Sequence, residues 1–295
     1  MAPRQHQHPA GLEVRMLAAM ALLGLIYAGI GWGLHLLLGM PSWAIVVLAA
    51  VVLALQWLGT EPLALAATGA RQVDPEQAPD LHQALERLCA LTGQPKPRLA
   101  LSSDQAPNAF TVGRSHRHAV IVVTWGLRYW LGPPELEAVL AHELAHIEHR
   151  DIAVMTLASS LALALAGLAR RLARTLQWLM ELGSGTALAV GIVAVAASSV
   201  VSAIAYLPLR ALSRYRELAA DRTAAIQLGR PALLASVLVK CQQESSRIPS
   251  ADLRAQAVPA IGFVAKPSRF GAWFSTHPSL ARRLSQLDAL QVELG

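Results

Sequence analysis

Charge is scarce in this chain. Aspartate, glutamate, lysine and arginine make up 15% of the 295 residues, against roughly 25% in an ordinary soluble domain. Hydrophobic residues reach 54% and the mean hydropathy is +0.41, a membrane composition. Cysteine is almost absent. Cys89 and Cys241 lie far apart and form no CxxC pair, which removes a disulfide scaffold and a cysteine-ligated metal site, and is compatible with a reducing compartment. No Gly-Lys dipeptide occurs, so a P-loop cannot be built and ATP-driven proteolysis by this chain alone is excluded, with no nucleotide expected as a partner. There is no Gly-x-Ser-x-Gly elbow, which argues against a serine hydrolase. The net charge of +6 is scattered through loops and helix ends without an aromatic-interleaved basic stripe, so nucleic acid is not an expected partner.

What the chain does contain is long apolar runs. Residues 1–15 are polar and aperiodic and read as a disordered tail, His6 and His8 with them. Met16–Met40 is almost wholly apolar, and the run resumes from Trp43 to Leu58, reaching Ala67. Crossing a bilayer takes about 20 such residues, so 16–67 is expected to be a transmembrane hairpin with a tight turn at Gly39, Met40 and Pro41. The first run is too long for a signal-peptide core of roughly 7–15 residues, and a second run follows at once. Residues 70–151 change character. Prolines, charges and alternating segments predict a helix over Pro79–Leu91, a strand at Arg98–Ser102, further strands at Phe110–Val112 and Ala119–Thr124, and a helix after Gly132. Ile152–Ala169 and Gly185–Leu207 read as a second membrane hairpin over 152–208, with Leu172–Leu182 either extending a helix or lying in the interface. From 209 to 295 amphipathic helices return, interrupted by a loop at 245–275.

The helix after Gly132 carries His142-Glu143-Leu144-Ala145-His146. Residues four apart share a helix face, so both imidazoles can reach one ion while Glu143 addresses a water on it. A catalytic zinc takes three protein ligands and keeps one open position. Glu217, in Arg214-Tyr215-Arg216-Glu217-Leu218-Ala219-Ala220-Asp221, is the best third ligand, because Asp221 follows one turn later, placed to hold a ligand histidine by its second nitrogen. The competing readings are a histidine-rich surface helix and a solvated Arg/Glu/Asp face.

With these motifs the chain resembles the HtpX family of membrane zinc metalloproteases, relatives of the CAAX prenyl endopeptidases. The likeness is carried by Pro107-Asn108-Ala109-Phe110, by Glu135–Asp151, by Arg214–Asp221 and by Phe274-Ser275-Thr276-His277-Pro278. It implies a mostly α membrane protein, with about four transmembrane helices and a zincin-like α+β metalloprotease domain split between 70–151 and 209–295. It implies one zinc ion on His142, His146 and Glu217, and Glu143 as general base. It further implies that Asn108, Ala109 and Phe110 lie at an edge strand that receives extended substrate, and that His277 steadies the oxyanion. Ser279 stands where relatives often carry a second proline, and Val112-Gly113 departs from the commoner Thr-Gly.

The expected activity is hydrolysis of peptide bonds in exposed or unfolded segments of membrane proteins, a quality-control role in the bacterial-type inner membrane. The alternatives are a processing protease for one lipidated or membrane-bound peptide, and a non-catalytic zinc-binding scaffold. A transporter is disfavoured because the apolar runs are nearly free of charge. Arg4, Arg15, Arg71, Lys96 and Arg98 favour a cytoplasmic catalytic part, whereas Arg170, Arg171 and Arg174 pull the other way.

Overall fold

The computed structural model describes residues 11–39, 41–150, 152, 192, 210–247 and 277–294. The apolar runs expected at Ile152–Ala169 and Gly185–Leu207 fall outside these residues, except that Ile152 and Ile192 are helical. So do the stretch Leu172–Leu182, most of the 245–275 loop, and all but the last five residues of the 1–15 tail.

Two helices, α1 (Leu12–Leu38) and α2 (Ser42–Thr68), form the hairpin expected at 16–67. Each has 27 residues, about 40 Å at 1.5 Å per residue, against a hydrocarbon core of about 30 Å. Gly39 closes α1 in the left-handed conformation that glycine adopts without penalty, and Pro41 opens α2. Val14–Gly33 and Ser42–Gly59 are apolar enough to span, and Trp32, Trp43, Val46 and Leu55 turn outward. Over these two stretches the helices are apolar all round and, among the described residues, mostly uncovered, which fits a lipid surrounding.

α2 then continues unbroken through Pro62 to Thr68 and becomes part of the sheet layer. Glu61 pairs with Arg98 at 2.9 Å, Thr68 carbonyl oxygen accepts a 2.7 Å hydrogen bond from Ser102 Oγ, and Ala64 and Leu65 pack on Phe110, Val112 and Val122. The sheet has four strands, β1 (Arg71–Gln72), β2 (Arg98–Ser102), β3 (Ala109–Gly113) and β4 (Ala119–Thr124), in the order β1-β2-β4-β3. β2 and β4 are parallel, the outer two antiparallel to their neighbours. Among the described residues β3 is thus an edge strand.

On the other face lie α3 (Pro79–Thr92), α4 (Trp125–Trp130) and α5 (Pro133–Glu148). Residues 210–228 form α6, followed by α7 (Pro231–Arg247) and α8 (Leu280–Leu294). α5 runs through the middle, and every residue from Ala138 to Ile147 is buried. Glu135 fixes its start twice over. Its Oε2 accepts from Gly132 N at 2.8 Å, and both carboxylate oxygens meet Lys240 Nζ of α7. One apolar core joins Leu81, Leu85 and Leu88 of α3 to Ile121 and Val123, to Leu140 and Leu144, and to Leu234, Leu238, Leu287 and Leu290. The pieces at 70–150, 210–247 and 277–294 therefore share one interior.

Candidate metal centre

α5 delivers His142, Glu143 and His146 into that interior, all 3% exposed or less. The two imidazoles stand edge to face, centroids 4.8 Å apart. α6 crosses them with Glu217, whose Oε2 is 3.7 Å from His142 Nε2 and whose Oε1 is 3.4 Å from His146 Nε2. All three ligand atoms lie within 4.8 Å of one another. A tetrahedral ion with bonds of about 2.0–2.1 Å sets its ligand atoms about 3.3–3.4 Å apart, so the set is close to the spacing zinc requires. The donor types fit as well, two neutral imidazole nitrogens and a carboxylate oxygen.

The surroundings fix which nitrogen faces inward. Asp221 Oδ1 is 3.0 Å from His142 Nδ1, which directs Nε2 of that ring at Glu217. Asp221 is itself held by Arg283 of α8 through Nε at 2.6 Å and a second guanidinium nitrogen at 2.7 Å. Burial alone would raise the Asp221 carboxyl, but the Arg283 charge and hydrogen bonds, with His142 behind them, hold it below its ordinary value. The same contest is settled the same way at Glu217. Desolvation is overcome by His277, His142 and His146 together, and the carboxyl lies well below the usual range. Both acids are therefore anionic, as a ligand and its support must be.

His277 reaches the centre too, its Nδ1 3.2 Å from Glu217 Oε2, and Arg216 touches the other oxygen at 3.1 Å. Burial pushes the thiols of Cys89 and Cys241 up to about 11 and about 12, unsuited to nucleophilic work at neutral pH.

At the edge strand, Thr124 N donates to Asn108 O and Arg114 N to His118 O. In an antiparallel pair, positions alternate between facing the partner strand and facing away. Asn108, Phe110 and Val112 therefore spend their backbone groups on β4, while Ala109, Thr111 and Gly113 present theirs to the open side. Phe110 turns its side chain into the cluster against α2, on the face away from the metal residues. Thr111 points the other way, and its Oγ1 donates to Glu143 Oε2 at 2.8 Å.

Thr111 and Arg283 are the two residues sequence reasoning missed. A threonine in a strand and an arginine in a basic helix carry no distinguishing mark. Arg283 did leave one signal, since it falls four and seven residues before Leu287 and Leu290 on the buried stripe of its helix.

A helix presenting His-Glu-x-x-His to a carboxylate on a second helix defines the metallopeptidase class. Residues 75–291 match Peptidase family M48. The chain is 45% identical over 289 residues to Protease HtpX homolog 1 of Streptomyces coelicolor, covering 96% of this chain and 94% of that relative. It is 41% identical to the Protease HtpX homolog of Moorella thermoacetica over 99% and 98% of the two chains. The crystal structure of S. mikatae Ste24p shares the fold, with a TM-score of 0.55 at 19% identity over 94% of this chain and 65% of that one. The chain belongs to peptidase family M48, as an HtpX-type membrane protease.

Proposed function

We propose that this protein is a zinc endopeptidase that cuts exposed or unfolded segments of other membrane proteins, with its catalytic part on the cytoplasmic face, in protein quality control. The observation that carries this reading is the burial of His142, His146, Glu217 and Glu143 beside a strand edge that no other strand among the described residues pairs with, and that is itself packed on the emerging end of a membrane helix.

Zinc held by His142, His146 and Glu217 would supply Lewis acidity, lowering the pKa of a water to about 7 and polarising the scissile carbonyl. The chain's own groups do the rest. An extended segment pairs with the outward amides of Ala109, Thr111 and Gly113, which needs an unfolded stretch and excludes folded domains. Glu143 takes the proton of the attacking water and passes it to the departing amine as the carbon–nitrogen bond breaks. Thr111 holds Glu143 Oε2 and so leaves the other oxygen to work. His277, whose Nδ1 lies 3.2 Å from Glu217 Oε2, is the side chain that steadies the developing oxyanion. Asp221 and Arg283 keep His142 in the tautomer that binds metal.

The test compares, in one proteoliposome preparation, cleavage of a flexible loop tethered to a membrane span with cleavage of the same loop free in solution. Faster cutting of the tethered loop, abolished by chelator and restored by zinc, is expected. Equal rates, or dependence on one short sequence or a prenyl group, would overturn the quality-control role. Chelator-resistant turnover would overturn the metal. Labelling of a cysteine placed at exposed Leu91 from the periplasmic side alone would reverse the topology.

A further inference from the structure

We propose that the turn joining β3 to β4, residues Arg114–His118, is a docking surface for anionic phospholipid headgroups. The placement follows from strand direction. The spanning stretch of α2 ends near Gly59, and two residues later Glu61 grips Arg98, the first residue of β2. Ser102, the last residue of β2, is bonded to Thr68 at the far end of α2. β2 therefore runs away from the bilayer alongside α2. β4 is parallel to β2, with Val120 beside Arg98 and Thr124 beside Ser102, so β4 begins at the bilayer end. The turn before β4 is the part of the sheet nearest the membrane. The Gly113 and Ala119 pair lies one register step beyond Arg98, about 3.3 Å, and the turn extends further. The headgroup layer is about 5–7 Å deep on each side of the hydrocarbon, so the turn reaches it.

Its chemistry matches that location. Arg114, His116, Arg117 and His118 crowd into five residues, and no acidic residue occurs between Asp104 and Glu135. Arg117 and His118 are exposed, and Arg114 is partly so. Among the described residues no carboxylate pairs with Arg114 or Arg117. The turn is shaped rather than loose. Ser115 Oγ meets His118 Nδ1 at 3.1 Å, and Gly113 leaves β3 at φ 147, where a Cβ would collide with the His118 carbonyl oxygen. A basic tip with no carboxylate partner among the described residues, held at the membrane surface, finds its counter-charge in lipid phosphates.

The inference rests on α1 and α2 crossing the bilayer and not on the peptidase chemistry. It is tested on the full chain with a nitroxide on Ser115→Cys, and a control nitroxide on Tyr129→Cys in α4, which follows the opposite end of β4. Cys89 and Cys241 are buried and leave the label to the new site. In vesicles of phosphatidylcholine with phosphatidylglycerol, the label at 115 should lie in the headgroup layer and the label at 129 in water. Quenching by labelled lipid should favour phosphatidylglycerol. Each basic side chain at such a surface is worth about fivefold, so R114Q/R117Q should lose the preference several-fold or more while R114K/R117K keeps it. A label at 115 no deeper than at 129 would overturn the proposal, as would a lipid preference unchanged in R114Q/R117Q. So would slower cleavage of an acidic soluble peptide by R114Q/R117Q in lipid-free detergent, which would assign the turn to substrate.

Discussion

α2 and α5 are inversions of one another. Over Ser42–Gly59, α2 turns tryptophan, valine and leucine outward and buries almost nothing. α5 does the reverse, enclosing two histidines and a glutamate within an apolar interior. In water either arrangement would be costly, the first through exposed apolar surface and the second through desolvated polar groups. Lipid removes the first cost. A convergent set of ion pairs, which a metal on His142, His146 and Glu217 would complete, removes the second. The contrast shows that burial here follows the surrounding medium and the available partners, not residue polarity.

The sharpest way to break the contrast is at α5. Glu143→Gln keeps the shape and the ligands but removes the base, so peptide hydrolysis should fall by about 10²–10⁴-fold with zinc content unchanged. Undiminished turnover would refute the role of Glu143, and lost zinc would show that the residue is structural.

Next in size is the support behind the ligands. Arg283→Met leaves the fully buried Asp221 without its counter-charge, a change costing about 3–5 kcal/mol when a buried pair is broken from one side. Thermal unfolding and metal titration should both move. Adding Asp221→Asn to Arg283→Met should restore part of the stability, because the stranded charge is then gone.

At α2 the comparison is tested with a charge placed outward. Leu55 in α2 and Leu91 in α3 are similarly exposed, at 65% and 75%. Leu55→Asp should cost about 2.5–3.5 kcal/mol of membrane insertion, whereas Leu91→Asp should be within about 0.5 kcal/mol of neutral. Equal tolerance at the two sites, measured by membrane-fraction yield, would mean that α2 does not face lipid.

Thr111 links the two regions, since its strand touches α2 on one face and Glu143 on the other. Removing the hydroxyl with Thr111→Val should lower kcat about tenfold or more, in line with a hydrogen bond to a charged group, with KM little changed. Thr111→Ser should recover most of it. If the serine variant is as slow as the valine variant, the hydroxyl is not what positions Glu143.

The smallest effect concerns acid. Burial opposes ionisation of Glu135, but Lys240 and the Gly132 amide win and its carboxyl titrates below the ordinary value. A depressed folded-state pKa gives stability that is present above the ordinary glutamate range and lost as pH falls through the folded value. Glu135→Gln should therefore flatten the loss of stability below about pH 4.5 and change little at pH 7.

Much of this was readable beforehand, and for identifiable reasons. Arg98–Ser102 and Ala119–Thr124 stand out as short β-branched or apolar runs between prolines and polar turns, and the strands have those bounds. The candidate metal residues His142, His146 and Glu217, which the fold brings together, announce themselves by spacing along helices, a local property. β1 did not, because two residues carry no periodicity, and α4 was missed although Thr124 caps it by accepting from Leu127 N. The contacts of Thr111 and Arg283 join elements 32 and 62 residues apart, and no local pattern encodes such a meeting. Phe110 illustrates the same limit. Its place on the edge strand was legible, but which face it takes depends on register against β4 and on α2 beneath.

The uninterrupted passage of α2 from bilayer to sheet acts as a ruler. Ala64 and Leu65, where β3 rests, lie five and six residues past Gly59, about 8–9 Å of helix rise. Because β2 is braced by Arg98 at Glu61 and by Ser102 at Thr68, the sheet that carries β3 cannot easily be lowered or raised. If, as proposed above, the protein's targets are anchored in the same membrane, each must lift its scissile bond to that height. An extended chain climbs about 3.3 Å per residue, so roughly three residues must separate the target's own span from the bond to be cut. Tails and loops shorter than that escape by geometry alone, whatever their sequence.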